Sequence, residues 1–237
     1  AECYGEDVRA IRAVETGLSS DPAMNWRLSV LDEVALISNS DAHSPRKLAR
    51  EANVLDCELS YRGVVEALMS GDPQRFLYTL EFFPEEGKYH LDGHRQCRTR
   101  LIPAATRQIK GLCPACGKKL TVGVLHRVED LADRAEGYVP ARAIPAKHVL
   151  PLEEIIAAAF QYKSATKKVV AEYERLLALY GSELNILLER TEAELTEHMP
   201  ARILAGILNV RRGEVQIAPG YDGEYGKITL FTDVAGE

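Results

Sequence analysis

The segment LISNSDAH, Leu36 to His43, indicates the fold class of the N-terminal part of the chain. The run Val34 to Ile37 is apolar without alternation, which is typical of a buried strand. Because side chains alternate along a strand, Asp41 and His43 are expected to point the same way from its C-terminal end, where α/β folds carry their chemistry. The two side chains are therefore candidate ligands of a divalent metal, or else an Asp that caps the next helix and a surface His.

The elements around this segment predict an α/β fold for roughly the first 85 residues. Helices are predicted at residues 6–15, 44–55 and 60–71, and strands at residues 32–38 and 75–83. Ser44 and Ser60 stand at N-cap positions, and Gly71 is a typical C-terminal stop. This length is too short to close a barrel or a doubly wound sheet by itself.

The C-terminal part of the chain is predicted to be mostly helical. Helices are predicted at residues 151–162, 164–181, 182–190 and 200–213, and Thr191 and Glu194 have capping-box spacing. Residues 214–231 predict two short strands around a glycine-rich turn. The stretch around His198-Met199-Pro200 has a helix-turn-helix rhythm without a turn glycine, so a packing bundle is favoured over a DNA-binding hairpin, although Arg211 and Arg212 remain candidates for phosphate contact.

Length and composition limit the classes of protein. The chain has 237 residues, of which 46% are hydrophobic, enough for sizeable cores. No apolar stretch approaches the ~18 residues of a membrane span, and no secretory leader is visible. Five cysteines, three of them clustered, favour a cytoplasmic metal-binding protein over a disulfide framework. Because Ala1 is followed directly by a helical pattern, we expect the chain to be cut from a larger protein.

The charge distribution indicates a basic surface in an acidic chain. The net charge of −6 argues against a nucleic-acid binder. The window from Gly93 to Val128, however, contains no Asp or Glu. Its cations are Arg95, Arg98, Arg100, Arg107, Lys110, Lys118, Lys119 and Arg127. Such a window is either a nucleic-acid contact or a solvated loop.

The same window contains two metal half-sites. His94 and Cys97 are separated by two residues, as are Cys113 and Cys116, and fifteen residues lie between the pairs. This spacing predicts a structural zinc ribbon with four protein ligands, in which His90 could take the place of His94. The alternative is three unrelated thiols near a His. A zinc module inside an acid-free window favours contact of Arg95, Arg98, Arg100, Lys118 and Lys119 with a nucleic-acid backbone.

Several long motifs together resemble the endonuclease Q family, whose catalytic domain belongs to the polymerase-and-histidinol-phosphatase (PHP) metallophosphoesterases. They are ETGLSSDPAMNWRLS, LISNSDAHSPRKLAREAN, EFFPEEGKYHLDGHRQC, CPACGKKLTVGVLHRVEDLADR and PGYDGEYGKI. The resemblance implies the C-terminal part of a (β/α)7 PHP barrel at residues 1–87, a zinc-binding domain at 88–140 and a helical C-terminal domain at 141–237.

The resemblance also implies a function. The family nicks DNA on the 5′ side of deaminated bases (hypoxanthine, uracil and xanthine) and of abasic sites. Asp41 and His43 would match the last metal-binding motif of the PHP domain, holding Zn, Mn or Mg, and Ser19 and Asn39 would line the damaged-base pocket. Asn39 could instead be a turn-forming residue. DNA with deaminated bases is the expected partner, with a sliding clamp as a further candidate and no membrane.

One departure from the family limits this expectation. PHP sites begin with a His-x-His motif, which this chain lacks, and His43 is its first histidine. We therefore expect that the chain alone does not assemble the full metal cluster. Two other functions remain: a PHP phosphatase acting on a small molecule, which would not need the basic zinc segment, and a non-catalytic zinc-ribbon module that binds nucleic acid.

Overall fold

The computed structural model describes residues 4–231. The chain divides into two units. Of the residues that the structure describes, unit 1 contains 4–147 together with Ala218–Lys227, and unit 2 contains His148–Ile217 and 228–231. Among the described residues, no helix is long and apolar enough to cross a membrane.

The N-terminal part of unit 1 is a mixed α/β structure, as predicted. Strand β1, Ala13–Glu15, pairs in parallel with β2, Ala35–Ile37. Strand β3, Ala52–Leu55, pairs antiparallel with β4, Phe76–Glu81, and β7, Ala146–His148, completes a sheet of order β3-β4-β7. Phe76 and Leu80 of β4 are fully buried in its core. The helices of this part are α1, Pro22–Asn25, and α2, Tyr61–Ser70.

Helix α2 forms where its local signals predict it. The Ser60 hydroxyl accepts a hydrogen bond from the Gly63 amide, and Gly71 ends the helix in the left-handed conformation, with φ of 57°. These contacts satisfy main-chain groups that a helix end would otherwise leave without partners.

Two of the predicted helices are wrong. Residues 6–15 form a 3-10 segment, Gly5–Ala10, followed by β1, and residues 44–55 form a 3-10 turn, Pro45–Lys47, followed by β3. In the second case Ala49 has a φ of 56°, which interrupts any helix, and β3 pairs with β4. The predicted buried strand is also shorter than expected, since β2 spans three residues, and each of these residues is only half-buried.

The rest of unit 1 consists of short elements. A hairpin of β5 and β6 is followed by two helices, and the bounds are β5 Asp92–His94, β6 Thr99–Leu101, α3 Pro103–Gln108 and α4 Val124–Leu131. The segment Pro219–Gly226, called the PGYDGEYG loop below, returns to this region between strands β8, Gln216–Ala218, and β9, Lys227–Thr229.

Unit 2 is a helical bundle, as predicted. Its helices are α5 Leu152–Phe160, α6 Lys167–Tyr180, α7 Glu192–Thr196 and α8 Ala201–Arg212, with a π-helical turn at Asn185–Glu189. The predicted capping box is present, since Thr191 and Glu194 exchange side-chain-to-amide hydrogen bonds. The core is filled by the fully buried side chains of Leu152, Ile155, Ile156, Val169, Leu176, Ile186, Leu195, Ile203 and Ile207.

Candidate functional site

The first metal half-site lies on the β5–β6 hairpin. His94 ends β5, and a 3-10 turn carries the chain through Cys97 to Arg98, which adopts the left-handed conformation with φ of 51°. This tight turn brings the His94 imidazole and the Cys97 thiol to the same side. Antiparallel pairing of His94 with Thr99 holds the turn in place.

The second half-site is a tight knuckle. The Cys113 amide donates to the Lys118 carbonyl at 2.7 Å, and the Gly117 amide donates to the Cys113 carbonyl at 2.8 Å. Gly117 has a φ of 72°, a conformation that glycine adopts at little cost. The knuckle therefore directs Cys113 and Cys116 toward the first half-site.

The four predicted ligands come together. The ligand atoms of His94, Cys97, Cys113 and Cys116 all lie within 4.8 Å of one another, and Cys116 Sγ is 3.4 Å from His94 Nδ1. Ligands of a tetrahedral zinc, roughly 2.0–2.3 Å from the ion, have similar mutual spacings. The donor set therefore fits a structural zinc. His90 does not join the cluster, because it is buried with Nδ1 3.3 Å from the Ser19 carbonyl oxygen.

The surroundings of the cluster favour a thiolate at Cys113. The Thr99 hydroxyl lies 3.4 Å from its sulfur. This contact, with the amides of Ala115 and Cys116, lowers the pKa of Cys113 to about 6 against the opposing effect of burial. A zinc ligand must be deprotonated, so these hydrogen bonds suit the bound state.

The strand-end residues form a separate polar network. Asn53 binds the main chain of buried Ser38 at two points, accepting from its amide at 3.0 Å and donating to its carbonyl at 2.8 Å. The Asn53 amide also lies 3.3 Å from Asn39 Oδ1, and Asn39 Nδ2 lies 3.4 Å from Glu15 Oε2. Asn53 and Glu15 thereby fix the orientation of the Asn39 amide. Neither was a candidate from sequence, and no local pattern marks them.

Asp41 and His43 lie beyond the end of β2, so the strand alternation used to relate them does not apply. Asp41 has a φ of 43°, and both side chains are exposed. The His43 imidazole contacts the Asp41 carbonyl oxygen through Nδ1 at 2.7 Å. Because a carbonyl oxygen only accepts, Nδ1 donates in this contact, so Nε2 is the ring nitrogen left to face a metal. Among residues 4–231 these two side chains do not belong to any cluster of three or more metal-binding groups.

Ser19, the other predicted pocket residue, contacts the start of the zinc segment. Its carbonyl oxygen faces His90, and its hydroxyl packs so closely on Gly87 that a Cβ there would be 2.0 Å from Oγ. Ser19 therefore contacts the start of the zinc segment, whereas Asn39 contacts Glu15 and Asn53.

Two carboxylates are buried near the strand ends. Burial raises the pKa of Glu51 to about 7 although the Phe82 amide donates to it. Burial also raises the pKa of Glu81, which accepts from the Thr16 hydroxyl at 3.0 Å. These groups carry protons at a pH where exposed carboxyls do not.

The five cations predicted to contact a nucleic-acid backbone are all exposed: Arg95, Arg98, Arg100, Lys118 and Lys119. Arg107, in contrast, forms ion pairs with Glu129 and Asp130 just outside the acid-free window. Arg100 donates to the Pro219 carbonyl at 3.0 Å and its guanidinium lies 5.9 Å from the Tyr221 ring centroid. Because Arg107 is paired with acids, fewer cations form the basic surface than the eight in the acid-free window.

Asp222 of the PGYDGEYG loop places an acid against this window. Its carboxylate accepts from the Arg95 amide at 2.6 Å and from the Thr121 hydroxyl at 2.5 Å. Although burial raises the pKa of Asp222, these hydrogen bonds lower it overall. Sequence reasoning missed this contact, because only the fold brings residues more than 100 positions apart together.

The two arginines of unit 2 considered for phosphate contact have partners within the protein. The Arg211 guanidinium donates to the carbonyls of Leu187 and Ile186 in the π-helical turn, at 2.7 and 2.8 Å. Arg212 is exposed and lies within 4.0 Å of carboxylate oxygens of Glu192 and Glu214. Nε and Nη2 of Arg211 are therefore occupied inside the bundle, which disfavours Arg211 as a phosphate contact.

Comparison with known proteins gives both curated relatives and solved structures. The family model for the MJ0043 C-terminal domain matches residues 151–214. Uncharacterized protein MJ0043 of Methanocaldococcus jannaschii is 33% identical over 224 residues, which are 92% of this chain and 28% of that protein. Uncharacterized protein YqxK of Bacillus subtilis is 30% identical over 224 residues, which are 94% of this chain and 54% of that protein. The chain spans about half or less of these relatives.

Two solved structures share the fold. The lesion-specific endonuclease PfuEndoQ from Pyrococcus furiosus aligns with a TM-score of 0.84 and 27% identity, over 94% of this chain and 57% of that one. Endonuclease Q in complex with a 27-mer duplex substrate, with an abasic lesion at the active site, aligns with a TM-score of 0.79 and 27% identity. This second alignment covers 95% of this chain and 58% of that chain.

Proposed function

We propose, on the premise that the chain shares the fold of endonuclease Q, that it is part of a metal-dependent DNA repair endonuclease. The observation that carries the proposal is the fold match to a lesion-specific endonuclease over 94% of the chain. The duplex DNA bound by the second structure supports DNA as the partner. Thiols free for zinc suit a protein acting in the cytoplasm.

The proposed reaction is a nick on the 5′ side of a deaminated base or an abasic site. A damaged base must leave the stack to be read, and a weakly paired base leaves more readily. Asn39 would read its edge with the amide that Glu15 and Asn53 orient, and the Ser19 hydroxyl would contribute from its own side. An abasic site offers no base edge, so it depends less on Asn39.

Asp41 and His43 are the proposed metal ligands of the catalytic site. A bound divalent ion (Zn, Mn or Mg) would activate water and neutralise charge on the phosphate. The Asp41 carbonyl occupies His43 Nδ1, which leaves Nε2 for the ion. Two ligands do not hold such an ion firmly, so we propose that the remaining ligands, and the first half of a PHP barrel, come from an upstream region.

The zinc module would contact the DNA backbone. Its five exposed cations, Arg95, Arg98, Arg100, Lys118 and Lys119, are arranged on a scaffold that one structural zinc would hold together. A second candidate function follows for the isolated chain: a DNA-binding module without catalysis. It is favoured by the presence of only two catalytic ligand candidates among the described residues.

A nicking assay tests the proposal. Duplex oligonucleotides carrying one deoxyinosine, one deoxyuridine or one abasic site are incubated with this chain and with a longer protein that restores the upstream region, in Mg, Mn or Zn. We expect a cut 5′ of the lesion by the longer protein alone. Lesion-dependent cutting by neither protein would refute the endonuclease, and robust cutting by this chain would refute the need for upstream ligands.

The base-reading role has its own assay. In the longer protein, Asn39→Ala is expected to lower kcat/KM for deoxyinosine at least tenfold more than for an abasic site. Equal losses on both lesions would show that Asn39 does not read the base. Activity on the abasic site serves as the internal control for folding and metal binding.

A further inference from the structure

The PGYDGEYG loop is held firmly against the segment that leads into the zinc module. The Gly220 amide donates to the Glu85 carbonyl at 2.7 Å, the Gly226 amide to the Glu86 carbonyl at 3.0 Å, and the Gly223 amide to the Lys88 carbonyl at 2.9 Å. The approach is so close that a Cβ on Gly226 would lie 2.1 Å from the Glu85 carbonyl oxygen. Side chains on this loop therefore have a fixed base.

Two tyrosine rings are exposed on this rigid base. Tyr225 is 72% exposed and Tyr89 is 44% exposed. The Lys88 ammonium lies 5.7 Å from the centroid of each ring. Rings this exposed add little to the apolar core, whereas Tyr221 of the same loop is buried. The arrangement is a cation flanked by two accessible aromatic rings.

This aromatic surface adjoins the basic surface. A Cβ on Gly223 would lie 3.5 Å from the Arg95 guanidinium and 3.8 Å from the Tyr89 hydroxyl, so both side chains border the loop at this point. Glu224, the exposed acid of the loop, pairs with Tyr221 through two main-chain hydrogen bonds of 2.8 and 3.0 Å, and burial together with the Glu224 carboxylate raises the pKa of Tyr221. Aromatic rings beside cations are what proteins use to bind single-stranded nucleic acid, the rings stacking on bases and the cations contacting phosphates.

We propose that Tyr225, Tyr89 and Lys88 form a stacking platform for an unpaired DNA base, with Arg95 on the adjacent phosphate. None of these residues is among those proposed to read the lesion, so we assign the platform to a different nucleotide. An endonuclease that extracts a base from a duplex leaves other nucleotides without a stacking partner, and the platform would hold one of them. The inference extends the proposed function but concerns binding alone.

Fluorescence anisotropy with this chain tests the platform. The probe is a fluorescein-labelled single-stranded oligothymidine, with a labelled undamaged duplex for comparison. Because Tyr225→Ala loses one stacked base, we expect this variant to bind the single strand roughly 5- to 150-fold more weakly than the wild type. Tyr225→Phe keeps the ring, so its affinity should stay within about twofold of the wild type. Tyr61→Ala is the matched control, since Tyr61 is 88% exposed on α2.

The outcomes separate this inference from the proposed function. Wild-type-like binding by Tyr225→Ala, an equal loss in Tyr225→Phe or in Tyr61→Ala, or a failure of the wild type to bind the single strand would overturn the platform. If one of these results is found while the longer protein nicks DNA at lesions, the platform is refuted and the proposed endonuclease function is not. Tyr225-dependent binding, without lesion-dependent nicking by the longer protein, would support the platform and refute the proposed endonuclease function.

Discussion

Asn53 is expected to contribute much more to the stability of unit 1 than its neighbour Asn39. Asn53→Ala removes both hydrogen bonds to the main chain of Ser38, a residue that is 0% exposed. Leaving a buried amide or carbonyl without a partner costs about 1–3 kcal/mol. Since water can reach the half-buried Asn53 position and satisfy part of the loss, we expect a destabilisation of about 2–4 kcal/mol.

Asn39→Ala is the matched control. It removes the same residue type one position after Ser38, and it deletes the same contact between Asn39 and Asn53. Its partners are at 3.3 and 3.4 Å and its side chain is exposed, so its loss should cost less than about 0.5 kcal/mol. The difference between the two variants isolates the bonds to Ser38.

Urea unfolding followed by tryptophan fluorescence measures this difference. Trp26 is the single tryptophan of the chain and belongs to unit 1, so its signal reports on that unit. The zinc content of both variants should equal that of the wild type, because the zinc cluster is made by other residues. If Asn53→Ala is no less stable than Asn39→Ala, the bidentate contact does not hold the strand end, and the reasoning fails.

Three further predictions follow from the metal cluster, the buried acids and the basic surface. Cys113→Ser is expected to lower bound zinc from about one ion per chain toward none and to destabilise unit 1, as metal analysis and urea unfolding would show; unchanged zinc content would contradict the ligand set. Burial raises the pKa of Glu51 to about 7 from 4.5, so its contribution to stability is present below pH 4.5 and lost as pH rises through 7. Glu51→Gln should therefore raise the urea midpoint at pH 8 and leave it nearly unchanged at pH 4.5, and a fall at pH 8 would refute this assignment. Lys118→Ala should make the plot of log binding constant for duplex DNA against log salt concentration less steep by about 0.9, because one phosphate contact is lost. Lys163→Ala in unit 2 should keep the wild-type slope. Equal slopes for the wild type and both variants would exclude Lys118 from the interface.

The sequence predicted elements whose signals are local. The Ser60 cap with the Gly71 stop, and the Thr191–Glu194 capping box, are satisfied within a few residues of themselves, so they form as expected. The zinc half-sites belong to the same class, because each is a turn of four residues. The choice of His94 over His90 depended on packing, since Ser19 and the turn at Gly87 hold His90 inside unit 1.

The failures arose where distant pairing outweighed helix propensity. Residues 44–55 contain good helix formers, yet Ala52–Leu55 is a strand because it pairs with β4, more than 20 residues later. For the same reason, local sequence patterns did not predict the contacts of Asn53 and Asp222. Each acts on a main-chain or side-chain group that only the folded chain brings within reach, at Ser38 for the first and at Arg95 and Thr121 for the second.

The PGYDGEYG loop also makes unit 1 discontinuous in the chain, which affects how the protein is made. The N-terminal segment leaves the ribosome first, but Asp222 and the glycines that close against it follow only after His148–Ile217. At ordinary rates of synthesis, these 70 or so residues take roughly 4–14 s. The zinc ligands are all available before that interval, so a nascent chain can bind the ion first and receive the loop afterwards. Zinc would then act during biosynthesis as the early constraint that keeps the docking surface for the loop in shape.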